Sequence, residues 1–283
     1  MRTYLDCIPC LMNQALRAAR LATDNEERIK KVLDAVGEMI KAIPMGNPPP
    51  KTAMRIYRLV GEMTGNWDPL HDLKKQHTRM ALDLYPILKE KIHRSHDRLH
   101  TALRYAIAGN VIDCGINHRI DIEEEIDLIL KQDLAISDYD NFRRYQAFAD
   151  EILYIGDNAG ESVFDRLLIE ELDMPVTYVV RSAPIINDVT YEDALMAGLG
   201  AVSTLVESGA EAPGTVLEIC SPEFRERFYR SKFVISKGQG NFEALSETPA
   251  PLFFLLMAKC PVIARDIGVN VGDMVLKGPS TGR

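Results

Sequence analysis

The sequence predicts an α/β protein in which a helical part is followed by a doubly wound α/β part. Up to about residue 150, apolar residues recur with the period of amphipathic helices. From Glu151 onward, short apolar runs are bounded by glycine or polar clusters and are followed by helical patterns. This change divides the chain into a helical domain, 1–150, and an α/β domain, 151–283. A chain of 283 residues with 46% hydrophobic residues is long enough to form both.

Helical periodicity extends through most of the first domain. The first helix has an apolar face at Leu11, Ala15 and Ala19, and the second follows a start signal at Thr23. Three consecutive prolines, ending at Pro50, require a loop before the next helix. The remaining helical patterns cover 52–63, 70–92, 99–108, 122–130 and 139–149.

Short apolar runs in the second domain predict the buried strands of a parallel sheet, with crossover helices between them. These runs are 152–155, 176–180, 201–205, 233–235 and 252–257. The segment 213–220 fits a helix and a strand equally well.

Composition and charge exclude several classes of protein. A net charge of -8 disfavours nonspecific binding to nucleic acid. No apolar run reaches the roughly 18 residues of a membrane helix, and the first residues lack the apolar region of a secretory signal. Five cysteines, an odd number, favour a reduced setting without a disulfide framework. We therefore expect a cytoplasmic protein with a small-molecule partner; the sequence carries no signal for oligomeric state.

Polar side chains follow the first predicted strand. Asp157, Asn158 and Glu161 come between that strand and a helical pattern, and the first two offer hard oxygen ligands. Ligands of doubly wound sheets bind beyond the carboxyl ends of the strands, which favours a binding site here. The alternative is that Asp157 or Asn158 caps the helix and Glu161 completes a capping box. This segment by itself favours neither the binding site nor the helix cap.

The second predicted strand is followed by a similar segment, with Asp188 before a helical pattern. A helix cap is the better interpretation of such a residue in isolation. Two adjacent strands would, however, present Asp and Asn at equivalent depths. Convergence of Asp157, Asn158 and Asp188 would make an oxygen-rich site suited to Mg or Mn.

The fourth predicted strand ends at a lysine, Lys237, within a turn that contains Gly238 and Gly240. The backbone amides of such a turn can bind a phosphate, and the lysine supplies a positive charge. Neither the GxxxxGK[ST] order of a P-loop nor GxGxxG is present, so a dinucleotide site is poorly supported. The alternative is a surface turn with a solvated lysine.

Taken together, these segments resemble the metal-dependent damage-control phosphatases, long called domain of unknown function 89. The resemblance is carried by GDNAGE, NDVT and SKGQGNFE, with AGNVID at 108–113, WDPL at 67–70 and DCIPC at 6–10. The cysteine pair is similar to that of the microbial and archaeal subgroup. The resemblance implies a helical domain packed on a Rossmann-like three-layer α/β/α domain with a mostly parallel sheet.

The resemblance also implies roles for individual residues. Asp157, Asn158 and Asp188 would bind one divalent ion, which could be Mn, Mg, Co or Ni. Lys237, acting in catalysis, would hold the phosphate with Gly238. Glu161 would act near the metal-bound water. The other substrate-contacting residues would be Asn241, Asn110 and Asp113.

These roles predict hydrolysis of small phosphorylated metabolites, such as sugar phosphates or damaged phosphometabolites, through a metal-activated water. An aspartyl-phosphate route through Asp157 ranks second, because the DxD spacing of aspartate-nucleophile phosphatases is missing. A noncatalytic protein that binds metal and phosphate ligands is the alternative from another class.

The pair Cys7 and Cys10 has the spacing of half a zinc site or of a redox pair. No second CxxC is present, so we expect both to be small buried residues at a helix start. A second metal site or a redox function is the minority interpretation.

Overall fold

The computed structural model describes residues 1–110 and 126–279. The first part is helical, as predicted, with helices α1 to α5 in chain order: Cys7–Ala22, Glu26–Ile40, Pro49–Thr64, His71–Arg94 and Arg98–Ala108. The predicted helical pattern at 122–130 begins outside the described residues, and within the described part residues 126–129 are helical, as predicted. Helices α6 to α11 follow: Tyr139–Phe148, Ser162–Ile169, Tyr191–Met196, Pro222–Arg230, Gly238–Leu245 and Pro261–Ile267.

A seven-stranded sheet forms the centre of the described structure. Strands β1 to β7 are Ile136–Ser137, Ile152–Ile155, Val176–Val180, Thr204–Glu207, Val234–Lys237, Leu252–Met257 and Met274–Lys277. Their order is β1-β7-β6-β5-β2-β3-β4, and all neighbours are parallel except β6 and β7. The prediction of an α/β protein with a mostly parallel sheet is therefore confirmed.

Local sequence signals explain where several helices begin and end. The side chain of Asn25 accepts a hydrogen bond of 2.9 Å from the Arg28 amide at the start of α2, two residues beyond the predicted signal. Pro49 starts α3, where a missing amide hydrogen costs nothing, and Gly65, in the left-handed conformation, caps the end of α3 after its last residue, Thr64.

The hydrophobic cores show how the helices meet the sheet. One core combines α4 and α5 with the sheet: Leu103, Phe142 and Phe253, for example, are all fully buried in it. A separate core joins α1, α2 and α3. The first of these cores crosses residue 150, and the division into domains at that residue stays a prediction.

The strand predictions fail at identifiable places. The segment 201–205 was predicted as a strand, but a 3-10 turn occupies Leu199–Ala201 and β4 begins at Thr204. The ambiguous segment 213–220 contains only a short 3-10 turn, Leu217–Ile219. Strands β1 and β7 were not predicted. Within 1–110 and 126–279, helices that combine the length and apolar character needed to cross a bilayer are absent.

Candidate active site

The site lies where the direction of sheet winding reverses. Successive strands β2, β3 and β4 extend one way, and β5 and β6 extend from the other side of β2. Such a reversal leaves a crevice at the carboxyl ends of the strands. Asp157 follows β2 there, and Gly238 follows β5. A side chain at Gly238, whose φ is 78°, would place its Cβ 1.8 Å from Oδ2 of Asp157, so this position needs glycine.

Two loops are joined at this crevice by backbone pairing. Asn158 and Asp188 form an isolated antiparallel bridge. The amide of Val189 donates to the carbonyl of Asp157 at 2.8 Å, and that of Ala159 donates to the carbonyl of Asn187 at 2.9 Å. The structure thus brings together the three residues that the sequence predicted as metal ligands.

The helix-capping alternatives do not hold in this structure. Helix α7 has Glu161 at its N-cap position, and no side chain caps it. Helix α8 is capped by Thr190, which forms a capping box with Asp193. Neither Asp157 nor Asp188 is therefore used to cap the helix that follows it.

Asp157 is a buried carboxylate surrounded by other acids. Its side chain is 8% exposed. Burial raises the pKa of Asp157 well above its usual value, and the charges of Glu161 and Asp188 raise it further, while Lys259 and Arg181 oppose the shift. Charges of one sign held together in a buried place favour a bound cation.

The side chain of Asn158 is oriented by two carboxylates. Its Nδ2 donates to Oδ2 of Asp157 and to Oε2 of Glu161, both at 2.9 Å. Oε2 of Glu161 also accepts from Nδ2 of Asn110, at 2.7 Å, from just beyond α5. Because the amide nitrogen has both of these partners, the carbonyl oxygen of Asn158 is its remaining polar atom, and Asn158 lines the cavity described below.

Asp188 is oriented by Arg181, which is 1% exposed. Nε of Arg181 donates to Oδ2 of Asp188 at 2.7 Å. The same guanidinium donates to Oγ1 of Thr215 and to Oδ1 of Asn241. A fully buried arginine with three acceptors is held in one position.

Lys237 points into the protein. Its Nζ donates to Oε1 of Glu161 at 2.6 Å, to Oδ1 of Asp165 at 2.5 Å and to the carbonyl of Ala106 at 2.8 Å. Burial alone would lower the pKa of Lys237, but the two carboxylates raise it above its usual value. Asp165 also accepts from the hydroxyl of Tyr154 at 2.7 Å. The geometry shows a structural ion-pair cluster, and the phosphate-binding role of Lys237 stays a prediction.

Asn241 likewise has its hydrogen-bonding atoms engaged inside the protein. Nδ2 donates to the carbonyls of Gly156 and Lys237, and Oδ1 accepts from Arg181 and from the amide of Thr215. In this conformation Asn241 fixes the loops around the crevice. Its contact with phosphate, like that of Gly238, stays a prediction.

A cavity of about 450 Å³ opens beside Asp157, Asn158 and Asp188, and we call it the reaction cavity. Its lining includes two exposed cations, Arg17 of α1 and Lys259. Neither forms an ion pair with another residue of 1–110 or 126–279. The cavity therefore combines buried acidic side chains with cations that are available to an anion.

The remaining predicted site residues are placed as follows. Asp113 lies outside the described residues. Both cysteines lie at the start of α1, but the prediction that both are buried is wrong: Cys7 is half-buried and Cys10 is exposed. Both are free thiols, and burial raises the pKa of Cys7. Among the described residues, no group of three or more His, Cys, Asp or Glu side chains could hold a metal ion. The predicted metal site is not a group of this kind, because its ligands are two carboxylates and one side-chain amide.

Sequence reasoning missed several residues that shape the candidate site. Arg181, Asp165 and Thr215 have hydrogen-bond partners between 7 and 72 positions away, outside the spacing of a single helix turn or strand pair, so no local pattern reveals them. Lys259 could have been found, because it follows the run 252–257 just as Asp157 follows 152–155. Arg17 lies on the polar face of α1, where a charged residue carries no special signal.

Fold and site together define a doubly wound α/β protein with an oxygen-rich crevice and a cation-bearing cavity. Residues 3–275 match the model of the damage-control phosphatase ARMT1-like domain. The chain belongs to this family.

Relatives and a solved structure extend this assignment over nearly the whole chain. A damage-control phosphatase of Pyrococcus horikoshii is 36% identical over 97% of this chain and 97% of its own. A damage-control phosphatase of Archaeoglobus fulgidus is 35% identical over 96% of this chain and 97% of its own. The crystal structure of a DUF89 family protein from Pyrococcus horikoshii has a TM-score of 0.91 at 33% identity, covering 98% of this chain and 99% of its own. The family prediction is confirmed, and the CxxC subgroup stays a prediction.

Proposed function

We propose that this protein is a metal-dependent phosphatase that hydrolyses small phosphorylated metabolites, including sugar phosphates or damaged phosphometabolites. The convergence of Asp157, Asn158 and Asp188 on one cavity carries the proposal. The relatives named damage-control phosphatases, which match over almost the entire chain, support the same class of reaction.

A divalent ion fits the chemistry of this donor set. The carboxylates of Asp157 and Asp188 and the amide oxygen of Asn158 would hold it, and all three are hard oxygen donors suited to Mg or Mn, with Co and Ni as further candidates. The raised pKa of Asp157, caused first by burial, is the property that a bound cation would relieve. When bound, the ion would offset phosphoryl charge and make a water more acidic.

The protein's own residues would position the reactants. Arg181 and Glu161 hold Asp188 and Asn158 in place, which limits reorganisation during turnover. Lys259 and Arg17 would attract the phosphate group into the reaction cavity. Hydrolysis consumes one water: its oxygen bonds to phosphorus, the bond to the ester oxygen breaks, and the organic group leaves as an alcohol that takes up a proton.

The experiment compares two buried aspartates. Asp157→Asn removes a predicted ligand, and Asp193→Asn makes the same change at a residue that is 7% exposed and pairs with Lys74 at 3.1 Å. We expect Asp157→Asn to lower kcat by more than about 100-fold. The metal-free variant should keep or gain thermal stability, because one of several neighbouring buried charges is removed.

The control should behave in the opposite way. Asp193→Asn should lower the melting temperature, since Lys74 loses a charged partner, and should retain turnover below that temperature. Full activity in Asp157→Asn would overturn the proposal. Metal binding by the wild type without phosphate release would favour the noncatalytic binding protein.

A further inference from the structure

A further carboxylate, that of Glu243, lines the reaction cavity together with Asp157. Glu243 is half-buried and belongs to helix α10, Gly238–Leu245. The first residue of that helix, Gly238, lies against the carboxylate of Asp157. The separation of five residues between Gly238 and Glu243 corresponds to roughly 7.5 Å along the helix axis. A small phosphomonoester held beside Asp157 can therefore extend toward Glu243.

Gln239 holds the carboxyl group of Glu243 in a defined orientation. The backbone amide of Lys259 donates to Oε1 of Gln239 at 3.2 Å, which fixes the side-chain amide. Nε2 of Gln239 then donates to Oε1 of Glu243 at 2.9 Å. The two residues are four apart on one face of α10, and both line the reaction cavity. Within 1–110 and 126–279, Oε2 of Glu243 has no hydrogen-bond partner, so this oxygen is available to a ligand.

The surroundings of Glu243 favour its protonated form. Burial raises the pKa of Glu243 to about 7, although the hydrogen bond from Gln239 and the amino-terminal charge oppose the shift. The ammonium group of Met1 donates to the backbone carbonyl of Glu243 at 2.9 Å. Cys7 of α1 is also close, since the charge of Glu243 raises the pKa of this thiol. A carboxyl group with a pKa near 7 can give up and regain a proton at neutral pH.

The other side chains of the cavity that carry an exchangeable proton are less suited to donate it or have another role. The hydroxyl of Tyr57, on α3, donates to Oε1 of Gln14 at 3.3 Å, and burial raises the pKa of Tyr57 above its usual value. Arg17 and Lys259 are cations that attract the phosphate group. His77, on α4, is 5% exposed and is the main rival as a proton donor.

We propose that Glu243 is the catalytic acid that protonates the leaving group of the phosphomonoester. This inference rests on the proposed function, in which the phosphate group is bound beside Asp157. As the bond between phosphorus and the ester oxygen breaks, the proton on Oε2 of Glu243 moves to that oxygen, which leaves as an alcohol. The oxygen of the attacking water bonds to phosphorus. One proton of this water stays on the phosphate and the other goes to solvent, from which Glu243 is protonated again.

The test compares two esters whose leaving groups need a proton to different degrees. Glycerol 3-phosphate releases a primary alcohol, which leaves poorly as an alkoxide, whereas 4-nitrophenyl phosphate releases a phenolate that its nitro group stabilises. Glu243→Gln keeps an oxygen that can accept from Gln239 but has no acidic proton. We expect this variant to lower kcat about 100-fold or more for glycerol 3-phosphate and less than about threefold for 4-nitrophenyl phosphate.

The comparison of the two esters also separates the possible failures. Activity that Glu243→Gln retains with 4-nitrophenyl phosphate shows that the variant is folded. Equal losses for the two esters, or no loss for either, would overturn the inference and leave the proposed function intact. If the wild type releases phosphate from neither ester with any of the four ions, the proposed function fails, and the catalytic role of Glu243 fails with it.

Two further variants serve as controls. Glu247→Gln makes the same change just beyond α10, at a side chain that is 82% exposed and lies outside the lining of the reaction cavity. It should leave kcat unchanged for both esters. His77→Gln should affect both esters by the same factor, as expected of a residue that only shapes the cavity. A loss confined to glycerol 3-phosphate in His77→Gln, and absent from Glu243→Gln, would assign the proton to His77 and overturn the inference.

The protonation of Glu243 can be measured with and without turnover. In the wild type, kcat for glycerol 3-phosphate should fall as the pH rises through about 7, because Glu243 loses its proton, and Glu243→Gln should lack this fall. In metal-free protein with ¹³C-labelled glutamate, NMR should show one carboxyl group that titrates near pH 7 and is missing from Glu243→Gln. A wild type in which every glutamate titrates in the ordinary acidic range would contradict the inference.

Discussion

At the scale of single residues, the position of Lys237 is set by charge. It is fully buried against Glu161 and Asp165, so its removal would leave two carboxylates without their cation. We expect Lys237→Met to lower the free energy of unfolding by about 3–5 kcal/mol, measured by denaturant titration. Lys232→Met should cost less than about 1 kcal/mol, because its ion pair with Asp150 is exposed. A stable Lys237→Met protein that has lost only phosphate affinity would instead show that this lysine serves the substrate.

At the scale of elements, helix α5 leads into the site, because Asn110, which donates a hydrogen bond to Glu161, lies just after its last residue. The cap at the start of α5 stabilises this helix. Asp97 caps α5 by accepting from the amide of His100 at 2.9 Å, and it also accepts from the hydroxyl of Tyr139. Burial opposes ionisation, but these two hydrogen bonds lower the pKa of Asp97 below its usual value. Asp97→Ala should therefore cost about 1 kcal/mol at neutral pH.

The same carboxylate predicts a pH dependence. Because its folded pKa is lowered, its stabilisation is present above the unfolded pKa of about 4 and is lost as the pH falls through the folded value. The difference in unfolding free energy between the wild type and Asp97→Ala should shrink in acid. Asp97→Asn keeps an acceptor without a charge, so its advantage over Asp97→Ala should not change with pH. If the difference in unfolding free energy between the wild type and Asp97→Ala stays constant down to pH 2, this account is contradicted.

At the scale of the whole molecule, the helices and the sheet share a core. The ring of Phe142 lies 4.9 Å from that of Phe233 and 5.3 Å from that of Phe253, and β1 pairs with β7. A fragment of residues 151–283 should therefore show no cooperative unfolding by circular dichroism, whereas residues 71–283, which keep this core, should. Cooperative unfolding of the shorter fragment would support independent domains divided at residue 150.

The sequence predicted what depends on local pattern. The runs 152–155, 176–180 and 252–257 coincide with β2, β3 and β6, because fully buried strands are continuous apolar runs. The sequence also predicted that Asp157 and Asp188 lie close together, because each follows the carboxyl end of a strand and those ends border one crevice. The sequence did not predict that Lys237 points into the protein. Its hydrogen-bond partners lie in α5 and α7, which are distant from it in the chain. Strand β1 has only two residues and pairs through contacts made more than 130 positions away, so no periodicity could indicate it.

The measurement that tests the central claim most directly is phosphate release by metal-stripped protein, with Mg, Mn, Co and Ni added back in turn to a panel of phosphomonoesters. We expect no release without metal and a clear recovery with at least one of these ions, lost again in Asp157→Asn. Equal release by stripped and reloaded protein, or full recovery in Asp157→Asn, would contradict the assignment of Asp157, Asn158 and Asp188 as the metal site of a phosphatase.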